Sequence, residues 1–440
     1  MTSTALRAET GVFDTILQSA THRPAPELLQ NLRERGRDSF LALGLPNRRQ
    51  EEWRFTRLDG IGEKIFEPPD VVAASIDISP WRVNDAYLLV FVDGIFSPDV
   101  SEVSGLPDGV VVSNLELATA SESNVVSENL GGLAGLEGHP FAALNTAIVA
   151  DGAFIHLPAG MELERPIQLV FVSGSEGRST ISAPRILVVA EPRSRATVVE
   201  QHLGDGGASL SCPVSEIVLA EGATLDHIAV QEEEISANHL AVRQIRLAAA
   251  SRYSAQAVSL GGALARTDIG VILDGEGAVA SLDGLCLVGG DQQANTHLTV
   301  QHKRPHCNSH QLYKGILAGS SRAVFTGRII VDQDAQKTDA TQSNRNLLLS
   351  DGATVHSNPQ LEIFADDVRC THGSTVGRLD EEAVFYLRSR GIARDQAIRL
   401  LTLAFAGEVL ERLPVEALRE RLETVIASRL AEMADNPEGA

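Results

Sequence analysis

The feature that most constrains this chain lies between residues 141 and 372, where short aliphatic runs follow one another without any helical period. IQLVFV, RILVVA, SEIVLA, AVRQIRLA, IGVIL, HLTVQH, RIIV and LEIF are the runs, and branched aliphatics of this kind suit strands packed inside a sheet structure. Turn elements separate them: LAEGATLDH around 220, LAAASRYSA at 247, LDGEGAVAS at 273, LAGSSRAVF at 317 and LSDGATVHS at 349. Between Gly222, Ser251, Gly277, Ser321 and Gly352 the steps are 29, 26, 44 and 31 residues, the 44 being read as two rungs. A strand and turn unit that recurs every ~20 to 30 residues is the sequence appearance of a stacked solenoid sheet. The chain is therefore read as mainly β, with a parallel β-helix core at 141–372. A β-sandwich is the competing arrangement, because any all-β chain has turns at such intervals.

The flanks have a different period. In residues 1–140, a helical and mixed region, Val12, Ile16 and Leu17, then Leu28, Leu29 and Leu32, then Phe40, Leu41 and Leu43 recur at helical spacing, punctuated by Pro24, Pro26 and Pro46. Trp53 and Phe55 read as an apolar anchor for this flank. Residues 373–440 form a second helical region. Asp380 is placed to cap a helix whose first turn carries Glu381 and Glu382 and whose end carries Arg388, Arg390 and Gly391. A further helix holds Ile398, Leu401, Phe405 and Leu410, and another runs from Pro414 with Leu418, Leu422, Val425, Ile426 and Leu430.

Charge excludes one class of function. The 440 residues carry a net charge of -21, and this divides as -1 over 1–70, -17 over 71–377 and -3 over 378–440. An acidic core is a poor match for a phosphate backbone, so nucleic acid is not an expected partner. No apolar run approaches the length a membrane helix needs, and MTSTALRAETGVFDTILQSA has no apolar core of a secretory signal. Four cysteines, Cys212, Cys286, Cys307 and Cys370, without a CxxC, are expected to be reduced thiols in a cytoplasmic protein.

Motifs for nucleotide hydrolysis or nucleophilic catalysis are missing. GSSRAVFTGR at 319 lacks the P-loop lysine, and there is no GxSxG or HExxH. The chain is expected to bind no nucleotide itself and to be no enzyme. The carboxylate pairs Asp332/Asp334 and Asp366/Asp367 read as solvated turn charges. HLTVQHKRPHCNSH (297–310) gathers His297, His302, His306, Cys307 and His310, a density that suits zinc or iron, but Lys303, Arg304 and Pro305 look like a turn and strand alternation separates the ligands. In DDVRCTHGSTVG (366–377), Cys370 and His372 stand two apart, so on an extended strand a thiol and an imidazole project from one face. A buried cysteine beside a hydrogen-bonded histidine is the plainer reading of the same pair.

LLLSDGATVHSNPQLEIFADDVRCTHGSTVGRLDEEAVFYLRSRGI (347–392) and NRRQEEWRFTRL (47–58) resemble the SufB/SufD family of iron–sulfur cluster assembly subunits of the SUF system, and the order of flank, core and tail covers essentially the whole chain. The likeness is to the SufD side: CTHG stands where SufB has an acidic EHE-type motif, and SNRNLLLS (343–350) lacks the cysteine of SufB-type subunits.

The resemblance implies a right-handed parallel β-helix that pairs with SufB, while the C-terminal helices dock the SufC ATPase, whose ATP-driven motion reaches the interface where a nascent cluster is built. It further implies that His372 handles transient iron or an Fe–S cluster at that interface, with Cys370 in a less defined role. Four scattered cysteines cannot hold a cluster alone. Flavin use and homodimer formation by the isolated chain are left open, and a β-helix polysaccharide-processing enzyme is the alternative function. Two structural expectations follow: an unpaired strand at one end or side of the solenoid where the partner adds, and an exposed apolar patch on the helices that begin near Asp380 and Pro414, which should be removable without loss of the core.

Overall fold

A computed structural model describes residues 11–58, 61–62, 64–68, 77–121, 123–174 and 178–435. It is mainly β, with 40% strand against 26% helix, and its centre is a β-solenoid of about 8 turns flanked by helices at both ends of the chain. Two long sheets face each other. The first contains ten strands and ends on Arg369–Gly377; the second contains the alternate strands and ends on Thr354–Ile363. Successive rungs pair parallel and in register, as in Leu225↔Tyr253, Tyr253↔Ala280 and Ala280↔Ser309. The sandwich is thus overturned: its strands would run antiparallel, and among the described residues antiparallel pairing is confined to Ile95–Phe96, Val111–Asn114 and the Leu88–Glu102 bridge, at the start of the sheets.

Strands of the first sheet begin at Arg195, Thr224, Arg252, Val279, Asn308, Asp339 and Arg369, a rung of 27 to 31 residues. The 44-residue step from Gly277 to Ser321 is not two rungs. Gly277 sits in the corner that enters the first sheet before Val279, whereas Ser321 sits in the opposite corner before Arg322 of the second sheet. The two kinds of turn look alike in sequence because both demand small residues and a left-handed backbone: φ is +71° at Gly277 and +63° at Gly319. The corner that restores the count is 303–307, where His306 takes φ +59°.

Alternation along the strands sorts the side chains. Ala196, Val198, Leu225, Tyr253 and Leu282 of the first sheet meet Ile217, Ile245, Val271 and Val300 of the second in one buried cluster that fills the solenoid. Burial of each Val, Leu and Ile among them stabilises the fold by ~1.5 to 3 kcal/mol. Even so, the interior also holds ions. Glu200 accepts from Arg243 at 3.0 Å across the lumen and contacts His202 and His227 at 2.7 and 3.0 Å; all four are buried.

The flanks are built on the outer faces. In the N-terminal region the buried helix Pro140–Ile148 packs on Glu27–Leu43, so closely that a Cβ on Gly36 would lie 2.4 Å from the Ala147 nitrogen. Trp53 is buried, with the Arg266 guanidinium 3.6 Å from its ring centre and Phe141 at 5.5 Å, as an anchor should be. Phe55 instead stacks on His356 at 4.1 Å and stays 43% exposed.

At the other end, Asp380 caps the helix Glu381–Ser389 by accepting from the Glu382 amide at 2.9 Å. The expectation of a detachable tail fails, because the later helices lie on the solenoid. Val409, Leu410, Leu418, Leu422, Ile426 and Leu430 bury against Val199, Ile228, Val258, Leu285, Leu312 and Ile316 on the outside of the first sheet. Arg412–Asp283 and Arg421–Glu232, both 2.7 Å, and Lys314–Glu408 fasten them there. Four-residue spacing supplied an apolar stripe, and the nearest apolar surface was the chain's own sheet. Among the described residues, the exposed large apolar groups of the tail lie on its first part: Phe385, Tyr386 and Leu400 are 71%, 57% and 50% exposed.

Candidate functional site

Both sheets run out at the same rung of the solenoid. Thr354–Ile363 and Arg369–Gly377 each have a paired neighbour on one side only, Arg322–Val331 and Asp339–Leu348 respectively. Such an edge presents a row of backbone donors and acceptors with nothing to receive them, the arrangement that recruits another strand. Exposed apolar side chains accompany it: Phe364 at 62%, Val376 at 50% and Ile363 at 40%.

His372 lies in the middle of the last strand and is exposed, paired in register with Gln342. Among the described residues no side chain hydrogen-bonds its imidazole, so the ring is free for a ligand. Cys370 follows the same inward-facing column of the first sheet, in register with Ala340, and is half-buried against Ile329, Val331 and Ala365 at the end of the core. The period of two thus puts thiol and imidazole on one face as the spacing requires. Burial, then the charge of Asp339, pushes the Cys370 thiol up. It is a protonated thiol that must lose its proton before it can ligate.

The histidine-rich segment does not converge. His297 points outward from Gln293–His302 and His302 inward; His306 is in the corner, Cys307 is buried, and His310 binds Thr341 at 2.8 Å on an exposed face. Asp332 accepts from Gln301, and Asp367 pairs with Lys337 in an exposed turn. Of the remaining cysteines, burial pushes the thiol of Cys286 up to about 12 and raises those of Cys212 and Cys307.

Sequence inspection missed the ionic cluster inside the solenoid. Its members come from TVVEQHLG, HIAVQEEE and NHLAVRQI, and no motif spacing links them. A usable signal existed: charged residues at the inward parity of strands that are otherwise aliphatic, as at Glu200, His202 and Arg243.

The solenoid, its two helical flanks and the position of the CTHG strand match a known pattern. The SufBD core domain of the SUF iron–sulfur cluster assembly system matches residues 171–405, and the SufBD N-terminal region matches residues 15–169. The chain belongs to the SufBD family. An iron–sulfur cluster assembly SufBD family protein of Synechocystis is 34% identical, with 91% of both chains covered. The iron–sulfur cluster assembly protein SufD of Escherichia coli is 31% identical over 92% of this chain and 93% of its own. A chloroplastic protein of Arabidopsis thaliana, ABCI7, is 32% identical over 96% of this chain and 92% of its own. A polysaccharide-processing role is not favoured by these relatives. Among the described residues no helix is long and apolar enough to cross a membrane.

Proposed function

We propose that this SufBD-family chain acts as the SufD-type subunit of a cluster assembly complex: its open solenoid end receives a SufB-type partner, and iron passes by His372 on the way to the nascent cluster. The observation that carries the reading is the placement of an exposed, unbonded imidazole on the terminal strand, beside Cys370 and on the edge open to pairing. Neutral imidazole suits Fe(II), and a neighbouring thiolate softens the same site. One imidazole and one thiol do not complete a coordination shell, so the remaining ligands come from the partner and the iron is cargo held briefly. The isolated chain has the same unpaired edges and is expected to pair with a second copy when no partner is present.

The SufC-type ATPase takes the surface around Phe385, Tyr386 and Leu400, the part of the tail that the solenoid leaves uncovered. The chain itself carries no nucleotide motif, so it transmits motion rather than hydrolysing ATP. Four free cysteines suit the reducing cytoplasm.

The test is co-expression with SufB- and SufC-type subunits, followed by iron and acid-labile sulfide analysis of the purified complex. The His372→Ala complex should assemble and carry far less iron and sulfide than wild type. Full loading of that complex would remove the imidazole from the proposed route.

A further inference from the structure

We propose that the chain holds a second metal site, inside the solenoid, in which His202, Glu233 and His239 bind one first-row divalent transition-metal ion. The three come from two adjacent rungs: His202 from Arg195–Gly204 of the first sheet and, one rung on, Glu233 from the corner after Thr224–Glu232 and His239 from Asn238–Leu247 of the second sheet. One ligand atom from each lies within 4.8 Å of the others, and none of the residues is more than 2% exposed. Two imidazoles and a carboxylate are a donor set for Zn²⁺ or Fe²⁺. Bonds of ~2.1 Å bring such atoms to ~3.4 Å apart, a closure that small side-chain rotations supply.

Three features distinguish this cluster from ordinary buried polarity. First, two of the three ligands are already oriented by a neighbour outside the set. Glu200 takes Nε2 of His202 at 2.7 Å, and Gln231 donates to Glu233 at 2.8 Å, the outer contacts that metal ligands characteristically have. Secondly, polar atoms are left without partners there. Nδ1 of His202 is buried and unbonded, as are the hydroxyls of Ser211, the register partner of His239, and of Ser182 beside it. Buried polar atoms of this kind cost stability unless something fills the site.

The third feature is charge. Glu200 has Arg243 and Glu216 has Arg185, whereas Glu233 has only imidazole and amide partners, His239 at 3.0 Å and Gln231. A cation bound here supplies the countercharge that arginine supplies at the other two. A lumen cavity of about 60 Å³ lies between the site and the open end, lined by Ser259, which donates to Gln231, and by Asn344 and Asn346 on the last rung but one.

The experiment uses the untagged full chain carrying H372A and C370S, so that the surface pair does not contribute, stripped of metal and titrated with Zn²⁺. One equivalent should bind and raise the thermal midpoint. Adding Glu233→Gln or His239→Gln should weaken binding at least tenfold and abolish the thermal shift, with the metal-free fold retained by circular dichroism. X-ray absorption of the Zn²⁺-loaded parent should give nitrogen and oxygen neighbours with imidazole scattering, which decides the ligand set even where a variant folds badly. Absence of a retained equivalent, unchanged binding in the folded Glu233→Gln chain, or a sulfur neighbour from Cys212 would overturn the site.

Discussion

The Arg243 guanidinium lies 3.0 Å from a carboxylate oxygen of Glu200, the two side chains reaching toward each other from opposite sheets across the solenoid lumen. Burial disfavours the charged carboxyl, but Arg243, His202 and His227 together outweigh that and hold it well below the usual carboxylate range. Removing the cation strands the anion. Arg243→Leu should therefore cost ~3 to 5 kcal/mol, seen as a lower denaturant midpoint, and a second change, Glu200→Gln, should recover part of the loss. Equal stability of Arg243→Leu and wild type would show that the pair is dispensable.

Acid should destabilise the fold through His302, which is buried, and His297, which is part-buried on the outer face. Desolvation lowers His302 to about 4, and desolvation with Arg266 lowers His297 to about 4, against 6.5 for an ordinary histidine. Between those values the unfolded chain binds more protons than the folded one, so stability rises with pH across that window. The contribution is present above pH ~6.5 and is lost as pH falls toward ~4, on the order of 3 kcal/mol for each histidine. His302→Gln should flatten the profile of denaturant midpoint against pH; an unchanged slope would mean that the ring is protonated in the fold.

Replacing the exposed His372 should leave stability within about 0.5 kcal/mol of wild type, which separates a loss of iron from a loss of fold. Cys370→Ser should reduce cluster loading less than His372→Ala does, since its raised thiol pKa makes it the weaker ligand. A larger defect in the serine variant would reverse the two roles.

Changing Phe385 and Tyr386 together to serine should abolish co-purification of the SufC-type ATPase while the thermal midpoint stays constant, because both rings are in water in the free chain. Retained ATPase binding would move the docking surface elsewhere. Deletion from residue 380 is a poorer experiment, since it uncovers the apolar outer face of the first sheet that Leu418, Leu422 and Ile426 protect.

Local rules made much of this protein readable. Aliphatic runs announced the strands, Asp380 announced its cap, and the two-residue period was enough to put Cys370 and His372 on one face, because each depends on neighbours a few positions away. The rung count was misread between Gly277 and Ser321 for the same reason: two opposite corners impose the same φ and select the same small residues. Register and coverage are different in kind. That His202 of one rung meets Glu233 and His239 of the next depends on lengths of chain summed around the solenoid, and which face Leu418 to Leu430 bury depends on the nearest apolar surface in space. The sequence alone determined the strand runs, the cap and the exposed pair's common face; only the tertiary structure decided the interior ionic cluster and the docking of the tail, because those contacts join residues whose separation follows no local period.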